Sequence, residues 1–203
     1  MRTYPIMLNV TGRVCVVVGA GPVGLRKAEA LLRAGASVRL VDPGDGAGAP
    51  EGVEHLRHPY EPSVLDGASL AFACTDEAPL NARIAADARS RRVLVNVADV
   101  PDLCDFYAAS TVIDGDVVIA VGTGGTAPAL ARRLRSLLAD AVPDRVGEFA
   151  DALGRLRGEV IERVDNIDRR RAIFQRLASA EGYEAFLQGG IDALARLVER
   201  DDY

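Results

Sequence analysis

Six residues, Gly19-Ala-Gly21-Pro-Val-Gly24, constrain this chain more than any others. They follow a β-branched run, RVCVVV at 13–18, and open a stretch in which Val23, Lys27, Ala30 and Leu31 recur at helical spacing up to Gly35. That order dictates a buried strand, a tight glycine turn and a helix N-terminus. Gly19 permits the turn, Gly21 lets backbone approach a pyrophosphate, and Gly24 lets helix and strand come close. The helix start then faces the negative charge, and Pro22 and Val23 lie in its first turn. Asp42 stands 18 residues past Gly24, at the end of a second apolar run, SVRLV at 37–41. A carboxylate there accepts hydrogen bonds from an adenosine ribose and repels a 2′-phosphate, which favours NAD over NADP. The plainer reading is a tight turn followed by an acidic loop entry.

The pattern continues as an α/β protein. SLAFAC at 69–74 reads as a third interior strand, 80–91 as an alanine-rich helix, and VLVNVA at 93–98 as a further strand. Strand and helix alternating at this spacing predict βαβ units and a Rossmann-like, doubly wound parallel sheet. GDGAGAPEG at 44–52 offers no side chains for packing and reads as a mobile loop. After about residue 107 the pattern changes. Two alternating runs flank Asp114-Gly115, a hairpin signal. Thr126 then reads as a helix cap before Pro128, and the helix carries Leu130, Leu134, Leu137 and Leu138 on one face. From 146 onward the chain is helical, with Val146, Phe149, Leu153, Leu156 and Val160 at three- and four-residue spacing and amphipathic stretches at 168–179 and 183–199. The expected division is a dinucleotide-binding domain over 1–110, a hairpin-and-helix dimerisation segment over 111–145, and a helical domain over 146–203. The faces of these small helices need each other or a second subunit to be buried.

Composition narrows the chemistry. Lys27 is the only lysine and His55 and His58 are the only histidines, which leaves little for a Tyr-Lys pair or a histidine-based catalytic set. Three cysteines without C-x-x-C spacing argue against a thiolate metal site and against a disulfide framework. No resident metal is expected. A formal net charge of −5 argues against nucleic acid as a bulk partner. No apolar run is long enough for a membrane span and the start lacks a signal-peptide core, so a cytoplasmic protein is expected.

Two further segments are candidates for chemistry. Asn96-Val-Ala-Asp99-Val-Pro-Asp102-Leu-Cys104-Asp105 lies at the carboxyl end of a strand, where open α/β sheets place ligands. Asp99 could aim a carboxylate at a substrate there; equally, these aspartates form turns and caps. Gly122-Thr123-Gly124-Gly125-Thr126-Ala-Pro128 offers backbone N–H groups to an anion at a helix start, or is a plain connection.

Taken together, the segments resemble one family along most of the chain. They are Tyr4-Pro5-Ile6-Met7-Leu8-Asn9-Val10 with the glycine loop, Arg26-Lys27-Ala28, Ala73-Cys74-Thr75-Asp76 with Leu80-Asn81, Asn96-Val97-Ala98-Asp99, Thr123 to Arg132, and Asp168-Arg169-Arg170-Arg171. The chain is similar to the precorrin-2 dehydrogenase and sirohydrochlorin ferrochelatase family of sirohaem synthesis. The resemblance implies an NAD-dependent oxidation of precorrin-2 to sirohydrochlorin by a homodimer. It places the general base on Asp99, cofactor contacts on Gly19, Gly21, Pro22, Val23, Gly24, Asp42, Thr75 and Asp76, and substrate contacts on Asn96, Thr123, Gly124, Gly125 and Thr126. Arg132 and Arg133 are candidate cations for substrate carboxylates. Some relatives also insert ferrous iron, which here would rest on Asp99 and the substrate nitrogens. A non-catalytic NAD-sensing domain shares the glycine loop and Asp42 but leaves the later segments unexplained. Two departures stand out: the glycine-rich 44–52 replaces a helix, and the methyltransferase half of some members is absent, so methylation is expected from another chain. Thr123 stands where one relative carries a phosphorylatable serine.

Overall fold

The computed structural model describes residues 3–199. It divides into two compact units, one running up to Ala108 and including Gly124–Thr126, the other formed by Ala109–Thr123 and the chain from Ala127 onward.

In the first unit, β1 (Val14–Val18) is the centre of a five-stranded parallel sheet, flanked by β2 (Ser37–Val41) and β4 (Ala68–Ala73). β3 (Glu54–Leu56) adds outside β2, and β5 (Leu94–Val97) outside β4, for the order β3-β2-β1-β4-β5. The sheet is the doubly wound architecture expected, with one more strand: β3 is three residues long, so the run predicted as third in the chain is fourth. Helices α1 (Pro22–Arg33) and α2 (Ala78–Ser90) give the sheet two apolar layers. Cys15, Val17, Leu40, Leu70 and Phe72 pack with Ala28 and Leu31 of α1, and Val16, Val18, Ala71, Val95 and Val97 pack with Ile84, Ala85 and Ala88 of α2. Alternate residues of β1 therefore feed opposite cores, which explains the uninterrupted β-branched run. Each fully buried Val or Leu contributes about 1.5–3 kcal/mol. The stripe α1 buries is Gly24, Ala28 and Leu31, whereas Ala30 of the expected set is exposed. The 44–52 segment is not bare of packing: Ala49 and the adjoining Val53 lie against the α1-side core, and Gly46 abuts the His55 ring.

In the second unit, β6 (Ser110–Asp114) and β7 (Val117–Val121) form the expected hairpin, with Gly115-Asp116 as the two turn residues and Gly115 at φ +53°. The Asp114 carboxylate accepts the Gly147 N–H at 2.9 Å. Helix α3 (Pro128–Ala141) lies against the hairpin and buries only Ala131. Ala127 is its N-cap, not Thr126, and it makes no side-chain cap; Thr123 Oγ1 instead accepts the Ala127 N–H at 3.3 Å. Helices α4 (Val146–Arg163), α5 (Ile167–Leu177) and α6 (Ala180–Glu199) share a core of Phe149, Leu156, Val160, Ile173, Leu177, Phe186, Leu194 and Leu197. Asn166 caps α5 by accepting the Arg169 N–H at 2.9 Å, and α6 is broken at Gly189-Gly190, where Gly190 has φ +62°. Among the described residues no helix is long and apolar enough to cross a membrane.

Candidate functional site

The carboxyl edge of the sheet gathers three loops. The glycine loop leaves β1, Thr75-Asp76 leave β4, and Ala98-Asp99 leave β5. Between β1 and β4 the order of strand addition reverses, outward through β2 and β3 on one side and through β4 and β5 on the other, which is where doubly wound sheets open a crevice for ligands.

Two of the glycines in the loop answer to close packing. Gly19 has φ +102°, and a Cβ there would lie 2.5 Å from the Cys74 carbonyl oxygen. A Cβ on Gly24 would lie 1.9 Å from the Gly19 oxygen, so α1 can sit this close to the turn only with hydrogen at both positions. Gly21 differs. It is the N-cap of α1 with ordinary extended geometry, and a Cβ on it would meet nothing within 4 Å. Sterics of the fold do not demand glycine at 21. The first turn of α1 carries no side-chain cap and no acidic residue, so its N–H groups are available to an anion.

Asp42 ties this loop to β2. Its Oδ2 accepts the Ala20 N–H at 2.7 Å and its Oδ1 accepts the Gly44 N–H at 2.8 Å. Each carboxylate oxygen keeps a second acceptor site for a ribose hydroxyl. Thr75 is locked by Asn81, a residue the sequence reading quoted without assigning it to the site. Asn81 Oδ1 accepts from the Thr75 N–H at 3.2 Å and hydroxyl at 2.8 Å, and its Nδ2 donates to the Thr75 carbonyl at 2.8 Å. Asn81 is buried. Asp76 is exposed beside it.

Asp99 is exposed and adopts φ +59°, the left-handed region that Asp and Asn tolerate better than most residues. Its turn is held from beneath: Cys104 Sγ accepts the Val97 N–H at 3.2 Å, and Asp105 Oδ2 accepts the Val95 N–H at 3.0 Å. Asn96 is buried, with Nδ2 donating to the Phe106 carbonyl at 2.9 Å and to Cys104 Sγ at 3.4 Å. Its amide nitrogen thus supports the turn. Gly124 and Gly125 take φ +61° and +80°. A Cβ on Gly125 would sit 3.2 Å from the Tyr107 ring, whose hydroxyl donates to the Pro101 carbonyl two residues past Asp99. Gly125 and the Asp99 turn thereby share one support, while Thr123 lies in the other unit.

The Cys74 thiol lies in the middle of this edge. Burial pushes its pKa up to about 11; Lys27 and Arg26 pull it down and the Asp99 carboxylate pushes it up. Among the described residues no three His, Cys, Asp or Glu side chains cluster as a metal site.

Residues 6–110 match a family described as putative NAD(P)-binding, and residues 145–201 match the sirohaem synthase dimerisation region. The chain belongs to the family of putative NAD(P)-binding proteins. This family member is 35% identical over 205 residues to the sirohaem synthase of Methylobacillus flagellatus, covering 98% of this chain and 44% of that protein. It is 36% identical over 202 residues to the sirohaem synthase of Chromobacterium violaceum, covering 97% of this chain and 43% of that protein. The family member spans less than half the length of these curated relatives. Its fold is shared with a solved precorrin-2 dehydrogenase, SirC, at a TM-score of 0.73 and 18% identity, covering 98% of this chain and all of that one.

Proposed function

We propose that this chain is a precorrin-2 dehydrogenase: it oxidises the macrocycle to sirohydrochlorin with NAD as acceptor and Asp99 as general base, and works as a cytoplasmic homodimer. The observation that carries the reading is the placement of the glycine loop and Asp99 on one carboxyl edge, two strands apart, in a chain of this family. Its similarity to sirohaem synthases and to the fold of a precorrin-2 dehydrogenase supports it.

The residues present fit a dinucleotide. Gly21 leaves open space where a side chain would stand, the uncapped start of α1 faces it, and Asp42 is fixed with acceptor capacity to spare. Gly19, Gly21, Pro22, Val23 and Gly24 would hold the diphosphate, Asp42 the ribose, and Thr75-Asp76 the flank. Bound nicotinamide supplies the hydride acceptor. Asp42 favours NAD because a 2′-phosphate would bring its charge against the carboxylate.

Asp99 takes up the proton as the macrocycle loses a hydride, so one C–H pair of electrons leaves and one proton is removed by the carboxylate. Asp99 stands exposed just past the end of β5, in left-handed backbone. Asn96 and Cys104 hold the turn against recoil. Gly124, Gly125 and Thr126, which belong to the same unit as Asp99, are suited to a substrate carboxylate. The homodimer is supported by the match to a dimerisation region over 145–201 and by the half-exposed Leu130 and Leu137 of α3. Three free, buried thiols suit a reducing compartment.

The test is anaerobic absorbance spectroscopy with precorrin-2, adding NAD, then NADP, then ferrous iron. Conversion to sirohydrochlorin with NAD is expected. Binding of NAD without conversion would overturn the reading in favour of a sensor, and a further change with iron faster than a protein-free control would add a chelatase step.

A further inference from the structure

Lys27, the single lysine of the chain, sits where a charge is costly. It follows Gly24 by three residues and precedes Ala28 and Leu31, so it belongs to the stripe of α1 that faces the sheet. Its Nζ lies 5.6 Å from the centroid of the Phe72 ring. Phe72 is two residues before Cys74 at the carboxyl end of β4, and its ring meets Phe106 edge-on at 5.3 Å. The Phe106 carbonyl is the acceptor for Asn96, on the strand that leads into Asp99. The ammonium therefore rests on an aromatic shelf beside the Asp99 turn. Among the described residues it forms no ion pair.

A half-buried ammonium without a counter-charge is unfavourable, and the face of one ring offsets only part of the lost hydration. Burial pulls the Lys27 pKa below its usual value; Cys74 and Cys104 oppose that pull and Arg26 adds to it. An anion delivered by a ligand would raise it again. Lys27 is five residues past Pro22, about 7.5 Å farther along the helix axis, and lies over β4 rather than at the helix start that suits a diphosphate. An anion that paired with it would lie over β4, away from the start of α1.

We propose that Lys27 is a substrate-binding residue whose ammonium, held over Phe72 at the carboxyl end of β4, pairs with a side-chain carboxylate of the tetrapyrrole. The assignment rests on the dehydrogenase reading of the site. It gives a polycarboxylate substrate a cation at the carboxyl end of β4, the strand beside the one that leads into Asp99, in a protein whose overall charge is negative.

The lone lysine makes the test selective. Reductive methylation with 13C-formaldehyde labels the Lys27 amine and the chain's N-terminal amine while keeping their charge, and Lys27→Arg identifies the lysine signal. Sirohydrochlorin, added anaerobically, is expected to move that signal saturably and raise its apparent pKa, whereas NAD alone is expected to do neither. Lys27→Gln is expected to raise KM for precorrin-2 by about tenfold or more, with Lys27→Arg restoring most of it and the NADH affinity unchanged. Sirohydrochlorin binding by absorbance with the lysine signal unmoved would overturn the assignment. So would a pKa rise with NAD alone, or a Lys27→Gln protein that loses Tm but keeps its KM. Absence of any macrocycle binding would overturn the dehydrogenase reading itself, and Lys27 with it; the absorbance change separates the two failures.

Discussion

The Asp42 carboxylate holds the Ala20 N–H at 2.7 Å, joining the end of β2 to the glycine loop that follows β1. This side chain shapes the loop, and on the proposed function it also meets the ribose. Asp42→Asn should separate them. It keeps a carbonyl oxygen for Ala20 but turns its NH2 toward the exposed Gly44 N–H, which loses its acceptor, so Tm should fall by a few degrees, while the charge that repels a 2′-phosphate is gone. The ratio of NADPH to NADH affinity, from fluorescence titration, should rise by about tenfold or more, since a charged hydrogen bond is worth about 1.5–3 kcal/mol. An unchanged ratio would remove Asp42 from cofactor selection.

Gly21 and Gly24 should respond oppositely to the same methyl group. Gly24→Ala places Cβ against the Gly19 carbonyl oxygen, and the clash with backbone should cost at least about 3 kcal/mol in urea denaturation. Gly21→Ala meets no atom of the protein, so stability should stay within about 0.5 kcal/mol. NADH affinity should nevertheless fall by about tenfold or more, because the added methyl occupies the ligand's approach. If both variants fold and bind alike, the glycines serve the turn alone.

Asp99→Asn tests the base. Asparagine tolerates φ +59° nearly as well as aspartate, so the turn should survive where Asp99→Ala would add strain of about 1 kcal/mol. With the carboxylate gone, turnover of precorrin-2 should drop by about 10²–10⁴-fold with NADH affinity intact. Full activity would return Asp99 to the role of a turn former.

The alkaline limb of stability should report Cys74. In the fold its thiol is held up to about 11 against a usual value near 9, so it stays protonated where the unfolded chain has begun to lose the proton. Between those values the native state binds more protons than the unfolded state, and stability falls as pH rises through the window. The urea midpoint should therefore decline from pH 9 to 11 more steeply in the parent than in Cys74→Ala. Equal slopes would mean the thiol does not resist ionisation.

The parts of this fold written in long apolar runs were legible in the sequence, and the parts written in distant pairings were not. Val14–Val18 and Ser37–Val41 announce buried parallel strands because every residue faces a core or a neighbour. Glu54-His55-Leu56 escapes notice because a three-residue polar edge strand lacks periodicity and depends on β2 for its hydrogen bonds. The glycine loop was legible down to its steric reasons at 19 and 24. The lock of Asn81 on Thr75 was not, since an asparagine one turn into a helix looks like any surface amide until the strand end is beside it. Lys27 could be placed on the helix by spacing, but its ring partner is 45 positions away in sequence. Thr126 was misread as a cap because the hydroxyl that reaches the helix start belongs to Thr123, four residues before the N–H it satisfies.

The leucines of α3 yield the last prediction. Leu130, Leu134, Leu137 and Leu138 are 49%, 38%, 52% and 39% exposed, on a helix that buries Ala131 alone. The hairpin adds Ile113 at 64% exposure, with its cross-strand partner Val118 at 38%. Apolar side chains left in water at helical spacing gain about 1.5–3 kcal/mol each when fully covered. In a two-fold dimer every substitution also counts twice. Leu130→Asp combined with Leu137→Asp should therefore convert a particle of twice the 21.5 kDa chain mass into one of a single chain mass by light scattering at micromolar concentration. Far-ultraviolet circular dichroism should be preserved, because neither leucine packs in a core of its own unit. A variant that stays dimeric would move the interface off α3, to the surface of α4–α6, where the matched dimerisation region lies.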